Sequence, residues 1–168
     1  MNSSPRGPAR GPTVRNSFED QVVSYGELDV WSNRLARHLT GRGVGPGDLV
    51  GVHVERSPQM VAGLLAVLKA GAGYTMLELN GVLEQVAPAA LITQTHLPAL
   101  STSAVVVDLT ADIAEVSGLS GAAVETGGSP ESVACVMFTS GSTGLPKGVM
   151  ASHRALAATF VGPDYLAF

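Results

Sequence analysis

The segment Phe138-Thr139-Ser140-Gly141-Ser142-Thr143-Gly144-Leu145-Pro146-Lys147-Gly148 follows directly on the apolar run from Val133 to Met137. It gathers two hydroxyl pairs, three glycines and a lysine into eleven residues. Glycine takes positive φ readily and lets a backbone approach a ligand closely, which is the expected part of Gly141, Gly144 and Gly148. Successive backbone N–H groups, the hydroxyls of Thr139, Ser140, Ser142 and Thr143, and the Lys147 ammonium all donate to anionic oxygens. The chemistry is that of a polyphosphate cradle set behind a buried strand.

Spacing decides which cradle it is. A Walker loop requires G-x-x-x-x-G-K-[ST], but five residues after Gly141 stands Pro146, and Lys147 is followed by glycine. A Ser/Gly-rich surface linker is the bland alternative, yet such linkers rarely place Pro-Lys-Gly after four hydroxyls and directly behind a strand of buried type. The stretch resembles the signature loop of the AMP-forming adenylating enzymes, the superfamily of acyl-CoA synthetases, luciferases and the adenylation domains of nonribosomal peptide synthetases. Every glycine, Pro146 and Lys147 take part in the resemblance.

Composition bounds the rest. The 168 residues suffice for one domain with a sizeable core, and 45% apolar content with positive mean hydropathy fits a globular protein rich in buried strands. A net charge of -4, with ten scattered basic residues, leaves no footprint for nucleic acid or an anionic membrane. The lone Cys135 forms no internal disulfide, and its apolar strand makes it a buried structural thiol rather than a nucleophile, which fits a reducing cytoplasm. Residues 1–17 are expected as a flexible tail. Met1 to Thr13 is rich in Pro, Gly and Ser, with neither the hydrophobic stretch of a signal peptide nor the amphipathic period of a transit peptide. Residues 18–168 are expected as the ordered domain.

Along that domain, Gln21 to Val23 reads as a short strand. Ser24 and Glu27 have capping-box spacing, which starts a helix at Tyr25. Leu28, Trp31, Leu35 and Leu39 recur at helical steps, so Trp31 is expected in the core and the helix is expected to stop near Gly41. Leu49 to Val54 reads as a parallel strand after a turn cluster. Ser57 and Pro58 open a helix running to Gly71, and Gly73 to Leu77 follows as a strand. Lys69, in the last turn, suits the helix dipole and is given no catalytic part. Asn80 to Val86 reads as helix, Ala89 to Thr93 and Ala104 to Asp108 as strands, Thr95 to Leu100 as a short helix or loop, and Ala111 to Val116 as at least a helical turn. Gly118 to Pro130 is expected as the surface connection into the phosphate-loop strand. Val149 and Met150 resume as a strand, and Ser152 caps a helix from His153 to about Phe160. The alternation argues for an α/β fold with a parallel, doubly wound sheet. His38, His53, His96 and His153 are scattered, and no Cys, Asp or His stands at metal-ligand spacing, so neither a zinc site nor a histidine-based triad is expected.

Further segments carry the resemblance. V-S-Y-G-E-L-D from Val23 is similar to the first motif of peptide-synthetase adenylation domains, and L-K-A-G-A-G-Y-T-M-L-E from Leu68 to the second. V-M-A-S-H-R-A-L from Val149 also matches the family. The resemblance implies a largely parallel sheet with flanking helices, an incomplete part of the large N-terminal domain of the adenylate-forming fold. In the family a Pro-containing loop and a helix with an acidic-arginine pair follow the Gly73 strand. Here a helix begins almost at once after Asn80, so either a deletion or an absent loop separates this chain from the pattern. The segments that select the carboxylate, bind adenine and ribose and supply the catalytic lysine of the family come after Phe168.

The implied parent reaction joins a carboxylate, foremost an amino acid, to the α-phosphate of ATP. Pyrophosphate leaves, and a peptidyl carrier protein's pantetheine thiol attacks the acyl adenylate. By the same resemblance Thr139, Ser140, Gly141, Ser142, Thr143 and Gly144 hold the β and γ phosphates, Thr143 also supports Mg²⁺, and Lys147, beside Gly148, is the catalytic cation. An acyl-CoA or aryl-CoA synthetase stands as the nearer alternative. A non-catalytic remnant or interaction module is the alternative of a different class.

Overall fold

A computed structural model describes residues 15–18, 21–77, 82–139 and 146–161. Two short strands, β1 (Arg15–Phe18) and β2 (Gln21–Ser24), pair antiparallel, so regular structure is already present at Arg15, ahead of the expected Phe18. Helix α1 (Tyr25–Gly41) starts where the capping box predicts. The Glu27 N–H donates to Ser24 Oγ at 3.2 Å, and the Ser24 N–H donates to Glu27 Oε2 at 2.8 Å. These reciprocal bonds satisfy two donors that a helix N-terminus would otherwise leave open.

The main sheet has six strands in the order β6-β5-β3-β4-β7-β8. They are β3 (Leu49–Val52), β4 (Gly73–Met76), β5 (Ala90–Thr93), β6 (Val105–Asp108), β7 (Val133–Thr139) and β8 (Lys147–Ser152). All neighbouring pairs are parallel except β7 with β8. Helix α2 (Pro58–Lys69) makes the crossover from β3 to β4. Ser57 Oγ accepts from the Met60 N–H at 3.2 Å at its start, and Gly71 ends it at φ +80°, a conformation that a side chain would strain. Three shorter helices complete the set: α3 (Val82–Val86), α4 (Ile113–Gly118) and α5 (His153–Val161). The start of the helix expected at Asn80 lies outside the described residues.

The core forms where α1 and α2 cover the sheet. Leu35, Ala36 and Leu39 of α1 and Ala66 and Val67 of α2 close over Val50, Ala90, Ile92 and Val107. Strands β3 and β5 are buried through most of their length, which is why they read as unbroken apolar runs and not as alternating ones, whereas β6 exposes Val105 and Val106. Trp31 corrects the expected stripe. It is 36% exposed at the rim of a small cavity between α1, α2 and α4, while Leu28, Leu35 and Leu39 are buried as expected. Residue 31 lies on the shoulder of the apolar face, where a large ring covers the core edge without entering it. The strands β3 and β4 also stop short of the predicted Val54 and Leu77, because His53 and Leu77 each give their N–H to a neighbouring strand and then leave the sheet.

Lys69 ties the two long helices together. Its ammonium donates to Asp29 Oδ1 at 2.7 Å, Asn33 Oδ1 at 2.7 Å and Ser32 Oγ at 2.8 Å. Asn33, Arg34 and Arg37 of α1 reach the other way. They donate to the carbonyls of Gly121, Leu119, Ser120, Ala122 and Ala123, fastening the connection that leads into β7.

Candidate nucleotide site

Strands β7 and β8 form an antiparallel pair in which Thr139 faces Lys147 and Phe138 faces Gly148. Residues 140–145, which join the two strands in the chain, lie outside the described residues, and with them five of the expected phosphate-binding residues, Ser140, Gly141, Ser142, Thr143 and Gly144. Strand β7 is held to β4 in parallel register, with Thr75 opposite Val136, and the buried Thr75 hydroxyl donates to the Val136 carbonyl at 2.9 Å. Because β3, β4, β5, β6 and β7 run the same way, β7 ends, at Thr139, on the edge where all five end. In open α/β sheets that carboxyl edge is where ligands bind.

Thr139 and Lys147 stand on either side of the joining segment. Thr139 is exposed, and its hydroxyl donates to the Lys147 carbonyl at 3.5 Å, a long bond that leaves the oxygen lone pairs to solvent. The Lys147 side chain is exposed and has no hydrogen-bond or ion-pair partner among the described residues. A hydroxyl and an uncommitted ammonium on paired strands suit an anionic oxygen between them, so the donor set fits polyphosphate.

Gly148 needs a different account from the one its loop position suggests. It belongs to β8, and a Cβ there would sit 3.1 Å from Val136 Cγ1 and 3.2 Å from the Phe138 ring. Its smallness makes room for a cross-strand ring. Cys135 is buried, as expected. It sits opposite Tyr74, whose hydroxyl is pushed up from its ordinary pKa by burial first and by the neighbouring thiol second. His153 opens α5; its N–H donates to the Ser132 carbonyl at 3.0 Å, and its buried Nε2 has no hydrogen-bond partner among the described residues.

One arrangement carries no sequence signal. His38 of α1 meets Asp112 and Glu115 at the head of α4, residues too far apart along the chain for any spacing rule to join them.

A largely parallel sheet with flanking helices is an α/β frame of the kind that binds ligands at its carboxyl edge, and the chain belongs to the AMP-binding enzyme family, whose profile matches residues 5–166. Tyrocidine synthase 3 of Brevibacillus parabrevis is 40% identical over 151 residues, 83% of this chain and 2% of that protein. Among solved structures, ATP-bound MatB from Rhodopseudomonas palustris superposes with a TM-score of 0.69 at 27% identity, over 83% of this chain and 31% of its own. The nonribosomal peptide synthetase FmoA3 in its alpha-methyl-L-serine-AMP bound form gives 0.71 at 29%, over 83% of this chain and 16% of its own. The chain thus spans under a third of each of these proteins.

Proposed function

We propose that the protein carrying this chain activates an amino acid as its acyl adenylate and passes the acyl group to the pantetheine thiol of a peptidyl carrier protein in the cytoplasm. The observation that carries this reading is the β7–β8 pair with Thr139 opposite Lys147, in a chain 40% identical to a peptide synthetase. FmoA3, a peptide synthetase that shares this fold, holds an aminoacyl adenylate in its crystal structure.

In this reading Thr139, Ser140, Gly141, Ser142, Thr143 and Gly144 cradle the β and γ phosphates of ATP through N–H and hydroxyl donors. Positioning of this kind lowers the barrier by fixing the α-phosphorus against the attacking carboxylate. Lys147 balances the charge that grows on pyrophosphate as it leaves. Thr143 supports Mg²⁺, which screens the phosphate oxygens when bound. No covalent bond to the protein is needed.

The test is intact mass of a carrier protein incubated with the complete enzyme, ATP and a panel of amino acids. One amino acid should add its acyl mass to the pantetheine arm. Acylation of free CoA with an unmodified carrier would overturn the reading in favour of a CoA ligase.

A further inference from the structure

His38 is 3% exposed, between α1 and the first turn of α4. Its Nε2 stands 3.4 Å from Asp112 Oδ2, and its Nδ1 stands 3.5 Å from Glu115 Oε1. One ligand atom from each of the three side chains lies within 4.8 Å of the other two. Nε2 makes no hydrogen bond, although Asp112 is within ion-pair range. Both separations are longer than the about 2.7–2.9 Å of a charge-assisted N–H···O bond, and neither carboxylate has closed on the ring. Two ligands at about 2.0–2.1 Å from a tetrahedral ion, by contrast, stand roughly 3.4 Å apart.

We propose that His38, Asp112 and Glu115 form a site for a divalent transition-metal ion of the zinc class, which pins α4 to α1. Nε2 and Asp112 Oδ2 are spaced to take the ion between them. Asp112 Oδ2 already accepts the Asp108 N–H at 3.1 Å, and its second lone pair remains for the metal. Glu115 has a side chain that is 60% exposed and supplies the third ligand by turning its Oε1 from Nδ1 toward Nε2; Arg42, 3.4 Å from Oε2, holds the other oxygen. Water completes the shell. An imidazole with two carboxylates selects zinc and its neighbours over magnesium and calcium, which take oxygen ligands. The consequence is structural: α4 leads into the 119–123 connection that Asn33, Arg34 and Arg37 fasten to α1, so the ion would secure the same path toward β7 at its start.

Zinc and cobalt titrations of metal-free protein test this, by calorimetry and by the visible absorption of tetrahedral Co²⁺. One equivalent should bind, and the thermal midpoint should rise with added Zn²⁺. Glu115→Gln is a change at an exposed position that keeps the fold, and it should weaken binding by about tenfold or more, as should Asp112→Asn. His96→Gln, in the separate His96–Glu55 pair, should leave binding unchanged. Absence of saturable binding, or binding that survives both Glu115→Gln and Asp112→Asn at full strength, overturns the proposal. Loss of His38→Gln to misfolding would not rescue it, since the two carboxylate variants decide the matter alone.

Discussion

Lys147 stands at the first position of β8 with an exposed side chain, opposite Thr139 at the end of β7. In the proposed reaction the segment 139–144, rich in N–H and hydroxyl donors, would hold ground-state ATP without it, so its charge would matter most when pyrophosphate begins to leave. Lys147→Ala in the complete enzyme should therefore lower kcat by about 1 to 3 kcal/mol of transition-state stabilisation, typical of one charge-assisted hydrogen bond, with little change in KM for ATP. A raised KM with unchanged kcat would make Lys147 a uniform binding contact. At this scale the sequence was informative about chemistry and less so about reasons. The hydroxyls and the lysine point to an anion, and Gly148, which reads as loop backbone, lies in β8 beside the Phe138 ring. Cross-strand neighbours are invisible until register is known.

The elements were legible where local signals govern them. Ser24, Glu27, Ser57, Pro58 and Gly71 set the ends of α1 and α2 within the chain's own neighbourhood. Trp31 was misjudged because periodicity gives the direction of a face and not its width. Strand β1 was missed because Arg15-Asn16-Ser17-Phe18 has no apolar alternation and is defined by pairing with β2. Lys69 looked like a helix-dipole residue and proves to be the tie between α1 and α2. It lowers the Asp29 pKa, through its hydrogen bond first and its charge second. A carboxylate whose folded pKa is depressed adds stability above its unfolded value of 3.8, and that stability is lost as pH falls through the lower folded value. Asp29 is exposed, so the pair itself contributes only about 0–1 kcal/mol. Asp29→Asn should accordingly lower the melting temperature slightly at pH 7, and the gap from the parent should close below pH 3.8. A gap that stays constant down to pH 2 would mean the ion pair contributes nothing.

For the whole molecule, the parallel strands explain where the proposed site falls: five strand ends share one edge, and β7 ends there at Thr139. Met137, Val149 and Met150 are exposed on β7 and β8, Met150 at 71%, and β8 has no partner on its outer side among the described strands. No described helix is long and apolar enough to cross a membrane. Order of strands, unlike their existence, was not legible: β7 inserts beside β4 after β5 and β6 have built outward from β3, a choice made by tertiary packing. The central claim is that this site serves amino-acid adenylation. Its most direct test is exchange of labelled pyrophosphate into ATP by the complete enzyme, measured with each amino acid in turn. The account predicts exchange that depends on one amino acid or a few close analogues and falls sharply in Lys147→Ala. Exchange that ignores every amino acid, or that Lys147→Ala leaves untouched, would contradict it.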